Sequence, residues 1–343
     1  MATLTGGMIL AGDGMLFNPP PSPPSPPPPG TLFATSGGAE IYKFNMDGSG
    51  ETSWTSSVHS ANPTEVFANS TKVAVGYPSE NRGKVSVFNH DGTGETVING
   101  TSLGTSAQFG SAIAMTETKM VIGAFFNNNY NGAIYVCDLD GSNMVQINNA
   151  YSGTMVMFGR QVAINDTKVY AGAPGYDTPM YGTGYVAIYN HDGTGRTLLQ
   201  PTGTNNNSMA FGEGIWVTDD YLYVTAQYGN LVGAIFRYEL GSSGYPIEAS
   251  QVTFSRTNTG SQGGEYLGPI AVNTKVITGS QLYDYNSLSN SGAGRIYDLD
   301  GSNDSFVIPS DVVADGRFGK SVAQNSTKLA FGSNKNAVGG EAG

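Results

Sequence analysis

Charged side chains are scarce in this chain, making up 13% of its 343 residues, about half the share of an average globular protein. Cysteine occurs once and histidine three times, which excludes both a disulfide framework and a zinc site built from Cys and His. The 16 basic residues face 27 acidic ones, and the resulting formal charge of −11 repels phosphate. We therefore expect no nucleic-acid partner.

Long apolar runs are missing as well. No segment reaches the ~18–20 apolar residues that cross a bilayer, so we expect no membrane insertion. The apolar stretch at 8–11 is short, glycine-broken and lacks a preceding basic residue, so we expect no signal peptide and synthesis in a reducing cytoplasm. Abundant instead are glycine, at 48 positions, and hydrophobic residues, at 39%, enough for a substantial core.

Proline is concentrated in one place. Nine of the 17 prolines lie in PPPSPPSPPPP at 19–29, which favours a stiff polyproline II spacer over residues 19–30. Residues 1–18 are too few to form a hydrophobic core of their own. We interpret them as an anchor peptide that docks into a larger assembly, with a tail of no function as the alternative. Its apolar residues are Leu4, Met8, Ile9, Leu10, Met15, Leu16 and Phe17.

Two sequence elements recur about every 50 residues between 31 and 343. The first is a turn whose copies read FNMDGSG at 44–50, FNHDGTG at 88–94, CDLDGSN at 137–143, YNHDGTG at 189–195 and YDLDGSN at 297–303, with a degenerate YELGSSG at 238–244. The second opens with Phe-Gly, as in FGSAIAMTETKMVIGA from 109, FGRQVAINDTKVYAGAP from 158, FGEGIWVTDDYLYVTA from 211 and FGKSVAQNSTKLAFGS from 318.

Each unit is predicted to form four short strands. Two strands flank a tight turn such as 165–167, and the Asp-Gly turn closes a hairpin between the third and the fourth. Four antiparallel strands repeated at this spacing predict an all-β fold, a β-propeller with an extended proline-rich N-terminal arm. The length favours six blades, with seven as the alternative. We expect the outer strands at 41–54 to share a blade with the inner strands at 318–331 and so close the ring.

The Phe-Gly openings, the Gly-Ala-Pro at 172–174 and the aromatic third strands resemble FG-GAP repeats, the propeller repeats of integrin α-subunit heads. The resemblance covers about 31–343 in six copies and implies a propeller that binds partners. Calcium-binding members of that family carry an Asp-rich loop between the first two strands of a blade. Here that turn is only Asn165-Asp166-Thr167 or Thr116-Glu117-Thr118, so the metal site does not carry over.

The remaining chemistry is sparse. Calcium needs six to eight oxygens, and the Asp-Gly turns lack a consistent acidic residue downstream, so we interpret them as Asx turns and expect no metal. His90 and His191 occupy a position where other copies carry Leu, which indicates surface turn residues. His59 stands alone, without a Ser-His-Asp spacing. With no phosphate-binding loop either, we expect no cofactor and no catalytic residues.

Several predicted loops are rich in Asn, Thr, Ser, Gly and Tyr, a composition shared by recognition surfaces, including those for carbohydrate. Solvated loops without a role are the alternative. The candidate recognition residues are Asn127, Asn128, Asn129, Tyr130, Tyr176, Asn205, Asn206 and Asn207.

The layout resembles minor structural proteins of tailed bacteriophages, especially those of cyanobacterial hosts. We therefore expect a non-enzymatic virion protein, made in the host cytoplasm and present in multiple copies on a symmetric particle. Residues 1–18 would contact other virion proteins, and the propeller would recognise a cell-surface glycan or protein. A bacterial surface adhesin and a carbohydrate-active enzyme are the alternatives. Two or more carboxylates at one end of the propeller axis would favour the enzyme.

Overall fold

The structure, a computed structural model, describes residues 9–12, 31–35, 40–45, 49–100, 103, 107–151, 155–175, 182–202, 210–226, 233–254, 267–326 and 328–333. These residues form six antiparallel four-stranded sheets and one two-stranded sheet. Helical structure within the described ranges is limited to a four-residue turn, α1 (Asn127–Tyr130), and a 3-10 turn (Glu248–Ser250). No helix in these ranges is long and apolar enough to cross a membrane.

The strands follow one another in chain order within each sheet. The first three sheets contain β1 (Ile9–Gly12), β2 (Thr31–Thr35), β3 (Glu40–Asn45) and β4 (Thr52–Thr55); β5 (Glu65–Ala68), β6 (Lys72–Tyr77), β7 (Lys84–Asn89) and β8 (Thr96–Asn99); and β9 (Ala112–Met115), β10 (Lys119–Ala124), β11 (Ala133–Asp138) and β12 (Val145–Asn148). The next three contain β13 (Val162–Ile164), β14 (Val169–Ala173), β15 (Tyr185–Tyr189) and β16 (Thr197–Leu199); β17 (Phe211–Val217), β18 (Tyr221–Ala226), β19 (Ala234–Glu239) and β20 (Val252–Thr253); and β21 (Ile270–Val272), β22 (Val276–Ser280), β23 (Ala293–Tyr297) and β24 (Ser305–Val307). The two-stranded sheet contains β25 (Val322–Gln324) and β26 (Leu329–Phe331).

The first strands of the sheets form a closed ring. Neighbouring pairs run from β1 through β5, β9, β13, β17 and β21 to β25, and β25 in turn contacts β1. The molecule is therefore a β-propeller with six four-stranded blades, as the repeats predict, and the two-stranded sheet lies between the sixth blade and the first. Blade interiors are apolar because most strands have another sheet on each side; β15, for example, is buried along its whole length.

The Phe-Gly pairs hold consecutive blades together. Phe158 makes a parallel bridge to Gly132 of the preceding blade, and the equivalent phenylalanines bridge in the same way. The second-strand glycine explains the close approach: a Cβ on Gly172 would lie 2.1 Å from the carbonyl oxygen of Gly212 in the next blade. Only glycine allows such a close backbone contact. The Phe-Gly pair and the second-strand glycine therefore serve to pack neighbouring blades together.

The predicted ring closure is wrong. The outer strands β3 and β4 pair with β2 and, through it, with β1, while β25 pairs with β26 alone. In β1, Ile9 pairs with Thr35 and Leu10 with Ala34. These two residues of the predicted anchor thus supply backbone to the first blade, because an antiparallel strand beside β2 satisfies its edge hydrogen bonds. The other five anchor residues and the spacer at 19–30 lie outside the described residues.

Candidate functional site

The inner strands surround an axial cavity of about 270 Å³. In several copies the residue that follows Phe-Gly lines its wall, because Phe-Gly leads into the inner strand of its blade. Ser111, Arg160, Glu213 and Lys320 occupy this repeat position, and Glu65 lies close by at the start of β5. Four ionisable side chains therefore meet at one end of the axis, the Phe-Gly end. We call Glu65, Arg160, Glu213 and Lys320 the axial cluster.

Arg160 interacts with both carboxyls of this cluster. Its Nη2 lies 3.4 Å from Glu213 Oε1. Burial raises the pKa of Glu213, and the positive charge of Arg160 together with this hydrogen bond opposes the rise. The other face of the guanidinium is occupied too, since its Cζ lies 5.0 Å from the centre of the Phe125 ring. A cation held between a carboxylate and an aromatic ring has a fixed position, which suits it to binding.

Glu65 is the second carboxyl of the cluster. Burial raises its pKa from 4.5 to about 8, and the positive charge of Arg160 only partly offsets this effect. Glu65 is half-buried and lines the cavity. At neutral pH Glu65 is therefore mostly protonated and can both donate and accept a hydrogen bond.

Lys320 adds a second basic side chain. Burial lowers its pKa, and the nearby charge of Arg317 lowers it further. The indole of Trp216 and the amide of Gln161 also line the cavity. The wall thus combines charged groups, a neutral acid, an amide and an aromatic surface, a donor set that fits a polar ligand carrying hydroxyl groups.

The predicted recognition loop at 127–130 lies on the same face as the axial cluster. It forms α1, in which Asn128, Asn129 and Tyr130 have φ of 52°, 55° and 64°, the left-handed region that asparagine tolerates better than most residues. The backbone N–H of Met157, in the next blade, donates to the carbonyl oxygen of Tyr130 at 2.7 Å and fixes the loop. Asn127 is buried, and Tyr130 is 37% exposed.

Aromatic rings join this loop to the axis. Tyr130 lies 4.2 Å from Phe126 and Phe126 4.4 Å from Phe125, centre to centre. Since Phe125 carries the Arg160 guanidinium, the contacts run continuously from the exposed tyrosine to the axial cluster. The other candidate recognition residues, Tyr176, Asn205, Asn206 and Asn207, lie outside the described residues.

The Asp-Gly turns lie at the opposite end of the blades. Asp140 Oδ1 accepts the backbone N–H of Ser142 at 2.9 Å and its hydroxyl at 2.6 Å, and these bonds lower the pKa of Asp140. Asp91, Asp192 and Asp300 make the same pair of bonds. This geometry confirms the interpretation as Asx turns.

The turn histidines are less exposed than predicted. His90 Nε2 lies 3.0 Å from the carbonyl oxygen of Asn69, and His191 Nε2 lies 2.9 Å from that of Asn165. Burial lowers the pKa of both imidazoles. Each histidine ties the Asp-Gly turn of its blade to the turn between the first two strands, which is a structural role.

His59 does not stand alone, contrary to the prediction. Its Nε2 lies 2.9 Å from Ser86 Oγ, its Nδ1 2.8 Å from Glu80 Oε2, and Ser86 in turn donates to Glu95. The arrangement resembles a Ser-His-Glu triad, but Ser86 is fully buried within β7, so no substrate reaches its hydroxyl. We interpret the group as a polar network that joins the first two blades.

The fold and the axial cluster define this molecule as a β-propeller with a polar cavity on its axis. In comparisons with known proteins, no family model matches the chain and no curated protein matches it. The resemblance to FG-GAP repeats therefore rests on the motifs themselves.

Proposed function

We propose that this propeller is a non-enzymatic recognition protein that binds a glycan on its Phe-Gly face. The observation that carries the proposal is the continuity between the axial cluster and α1. A sugar hydroxyl at the axis would meet the protonated Glu65, which can donate and accept, and the Arg160 cation. Tyr130 and Trp216 offer aromatic surfaces for the apolar faces of sugar rings.

The size of the cavity supports a short determinant. At about 270 Å³ it lies near the lower end of the ~300–1,000 Å³ typical of ligand pockets, so it suits a terminal sugar and not the middle of a polymer. Arg160 gives the cluster a permanent positive charge, and burial disfavours the charged forms of Glu65 and Glu213. This charge favours a sugar that carries an acidic group.

The test is a glycan array followed by calorimetry on the best ligand, using the full chain. Arg160→Met keeps the length of the side chain but removes its charge, and we expect it to weaken binding about tenfold or more. The matched control is Lys72→Met, which removes a cation bonded to Asn89 at the opposite face and should leave affinity unchanged. Equal loss in both variants, or no ligand on the array, contradicts the proposal.

A carbohydrate-active enzyme is the second candidate, because two carboxyls do lie at one end of the axis. In a hydrolase, Glu65 would donate its proton to the leaving oxygen while Glu213 acted on water or the anomeric carbon. Incubating the array ligand with the wild type and Glu65→Gln separates the two functions. Product release that the variant abolishes favours the enzyme, and binding without product favours recognition.

We propose further that the propeller is displayed on a virion, as one of multiple copies attached through its N-terminal region. This part rests on the polyproline spacer and on the apolar residues near it. Since Ile9 and Leu10 belong to β1, the attachment residues proposed now are the other five, of which Met15, Leu16 and Phe17 lie nearest the spacer. Replacing these three by serine should leave the purified propeller folded and prevent its incorporation into particles; normal incorporation contradicts the attachment. A bacterial adhesin stays the alternative.

A further inference from the structure

In the described part of the chain, the sheet formed by β25 and β26 has two strands where each blade has four. The chain order of strands is the same in all six blades, and in each a third strand pairs with the second. In the part of the chain that the structure describes, β26 has β25 as its only partner. Among those residues no strand lies along its outer edge, so the N–H and C=O groups of that edge are placed to pair with a further strand.

β26 has the same pattern of apolar residues as the second strands of the blades, which are buried between neighbouring sheets. In the second strands of four blades, the apolar residue directly after the first lysine is completely buried; these residues are Val73, Met120, Val169 and Val276. Leu329 follows Lys328 in the same position but is 37% exposed. The phenylalanine of the Phe-Gly pair behaves likewise, since Phe158 is fully buried whereas Phe318 is only half-buried. The apolar pattern is thus that of a covered strand.

Both neighbouring blades present apolar side chains to the same gap. Tyr42 and Phe44 stack on one face of β3, opposite the face that holds Phe33 and packs on the second blade. On the sixth blade, Gly294 lies against Phe331, and Ile296 shares that face of β23. Tyr42, Phe44 and Ile296 are all half-buried, although the corresponding third strands β11 and β15 are almost entirely buried. We call this gap the open wedge.

Lys328 indicates which residue a strand docked in the open wedge would carry. In four blades the equivalent lysine donates to an Asn or Asp that ends the third strand or directly follows it: Lys72 to Asn89, Lys119 to Asp138, Lys168 to Asn190 and Lys275 to Asp298. Lys328 is exposed, and its ammonium meets no such oxygen among the described residues. A third strand that ends in Asn or Asp would complete this hydrogen bond.

We propose that the open wedge docks a β-hairpin from a partner polypeptide, built like the outer hairpins of this chain. The first strand of that hairpin is apolar on both faces, ends in Asn or Asp and leads into an Asp-Gly turn. It pairs with the edge of β26, buries Leu329 and places its Asn or Asp oxygen against Lys328. The main-chain bonds supply affinity and the lysine contact supplies register, as in other cases of strand addition.

A synthetic peptide of residues 184–199, an outer hairpin with Asn190 before its turn, is the direct probe. Binding of the fluorescent peptide to the full chain is followed by anisotropy, and we expect saturable binding and a higher melting temperature. Lys328→Ala should weaken binding about fivefold, the effect of one lost hydrogen bond. The matched control is Lys119→Ala, whose ammonium already bonds Asp138, and it should bind the peptide as the wild type does.

Three results overturn the proposal. The first is the absence of saturable binding by the wild type. The second is concentration-dependent self-association that Leu329→Asp abolishes, because a second copy would then occupy the edge. The third is binding that appears only after residues 334–343 are deleted, because those residues would then cover β26 themselves. Peptide affinity that is equal in wild type and Lys328→Ala contradicts the assigned register.

Discussion

Arg160 reaches Glu213 across the boundary between the fourth and fifth blades, with 3.4 Å between Nη2 and Oε1. The two residues occupy the same repeat position, directly after Phe-Gly, Arg160 just before β13 and Glu213 within β17. This repeat position carries opposite charges in the two blades, and the Arg160 guanidinium also lies over the Phe125 ring. The relationship makes the axis the most distinctive chemical feature of the molecule.

Removing the cation should change the ionisation of its neighbours. Arg160→Met takes away the charge that opposes the effect of burial on both Glu65 and Glu213. We expect the pKa of each carboxyl to rise above its value in the wild type. Carbon-13 NMR of labelled glutamate carboxyls measures this directly, and unchanged titration of both groups would show that Arg160 is not their electrostatic partner.

Glu65 predicts a specific pH dependence of stability. Its pKa is about 8 in the folded protein and near 4.5 in the unfolded chain, so between these values the folded state binds more protons. This group therefore lowers the free energy of unfolding as pH rises through that window. Glu65→Gln removes this dependence. The free energy of unfolding of the variant, relative to that of the wild type, should therefore be higher at pH 9 than at pH 4.

Denaturant unfolding at both pH values measures the effect of Glu65. Comparison with the wild type at each pH cancels the opposite contribution of the turn aspartates, whose lowered pKa values add stability above the acid range. A difference between the two proteins that does not change with pH contradicts the ionisation assigned to Glu65.

Most of the fold could be predicted from the sequence because its strongest signals are local. Asp-Gly predicts the outer hairpins because glycine readily adopts the positive φ that such turns require. Phe-Gly recurs where neighbouring blades pack together. The ring closure could not be predicted, because β1 precedes the polyproline run and carries neither motif. A strand of four residues, Ile9–Gly12, has too little pattern to be recognised without its partner β2.

The axial cluster was missed for a different reason. Its members differ in residue type, so they do not look like a repeat feature, and Glu65 lies in a weak copy without Phe-Gly. The available signal was the position after Phe-Gly, where Arg160, Glu213 and Lys320 are ionisable residues at or near the start of an inner strand. In a propeller these positions surround the axis. The contact of Arg160 with Phe125, 35 positions earlier, depends on blade packing and has no sequence signal.

The turn glycines predict a mutational contrast. Gly141 has φ of 82°, and a Cβ there would lie 3.0 Å from Ile98 in the preceding blade. Gly141→Ala combines backbone strain with this close contact, and we expect it to cost about 1–2 kcal/mol. The control is Gly241→Ala in the degenerate turn, where the nearest atom is 3.6 Å away and φ is not positive. Thermal unfolding that shows equal effects in both contradicts the packing role of the Asp-Gly turn.

The single cysteine should be inert in the folded protein. Cys137 is fully buried in β11, and burial together with the charges of Asp138 and Asp140 raises the pKa of its thiol to about 12. Since the thiolate is the reactive form, a thiol reagent at pH 8 should label the protein only as it unfolds. Rapid stoichiometric labelling under native conditions would show that the third blade opens readily.

The N-terminal strand gives a test of the corrected ring. Deleting residues 1–12 removes β1 and exposes β2 and the inner strands on either side, so we expect a lower melting temperature. Deleting residues 1–8 keeps β1 and should have a much smaller effect. If both truncated proteins melt as the full chain does, β1 contributes nothing to the first blade.

The structure of the protein with a glycan ligand bound tests the proposed function most directly. Crystals or cryo-electron microscopy of the complex with the best array ligand should place a sugar ring in the axial cavity, with hydroxyl or acidic groups bonded to Glu65 and Arg160. Contacts should extend towards Tyr130 on the same face. A ligand seated at the Asp-Gly end of the blades, with the axial cavity unchanged, would contradict the account.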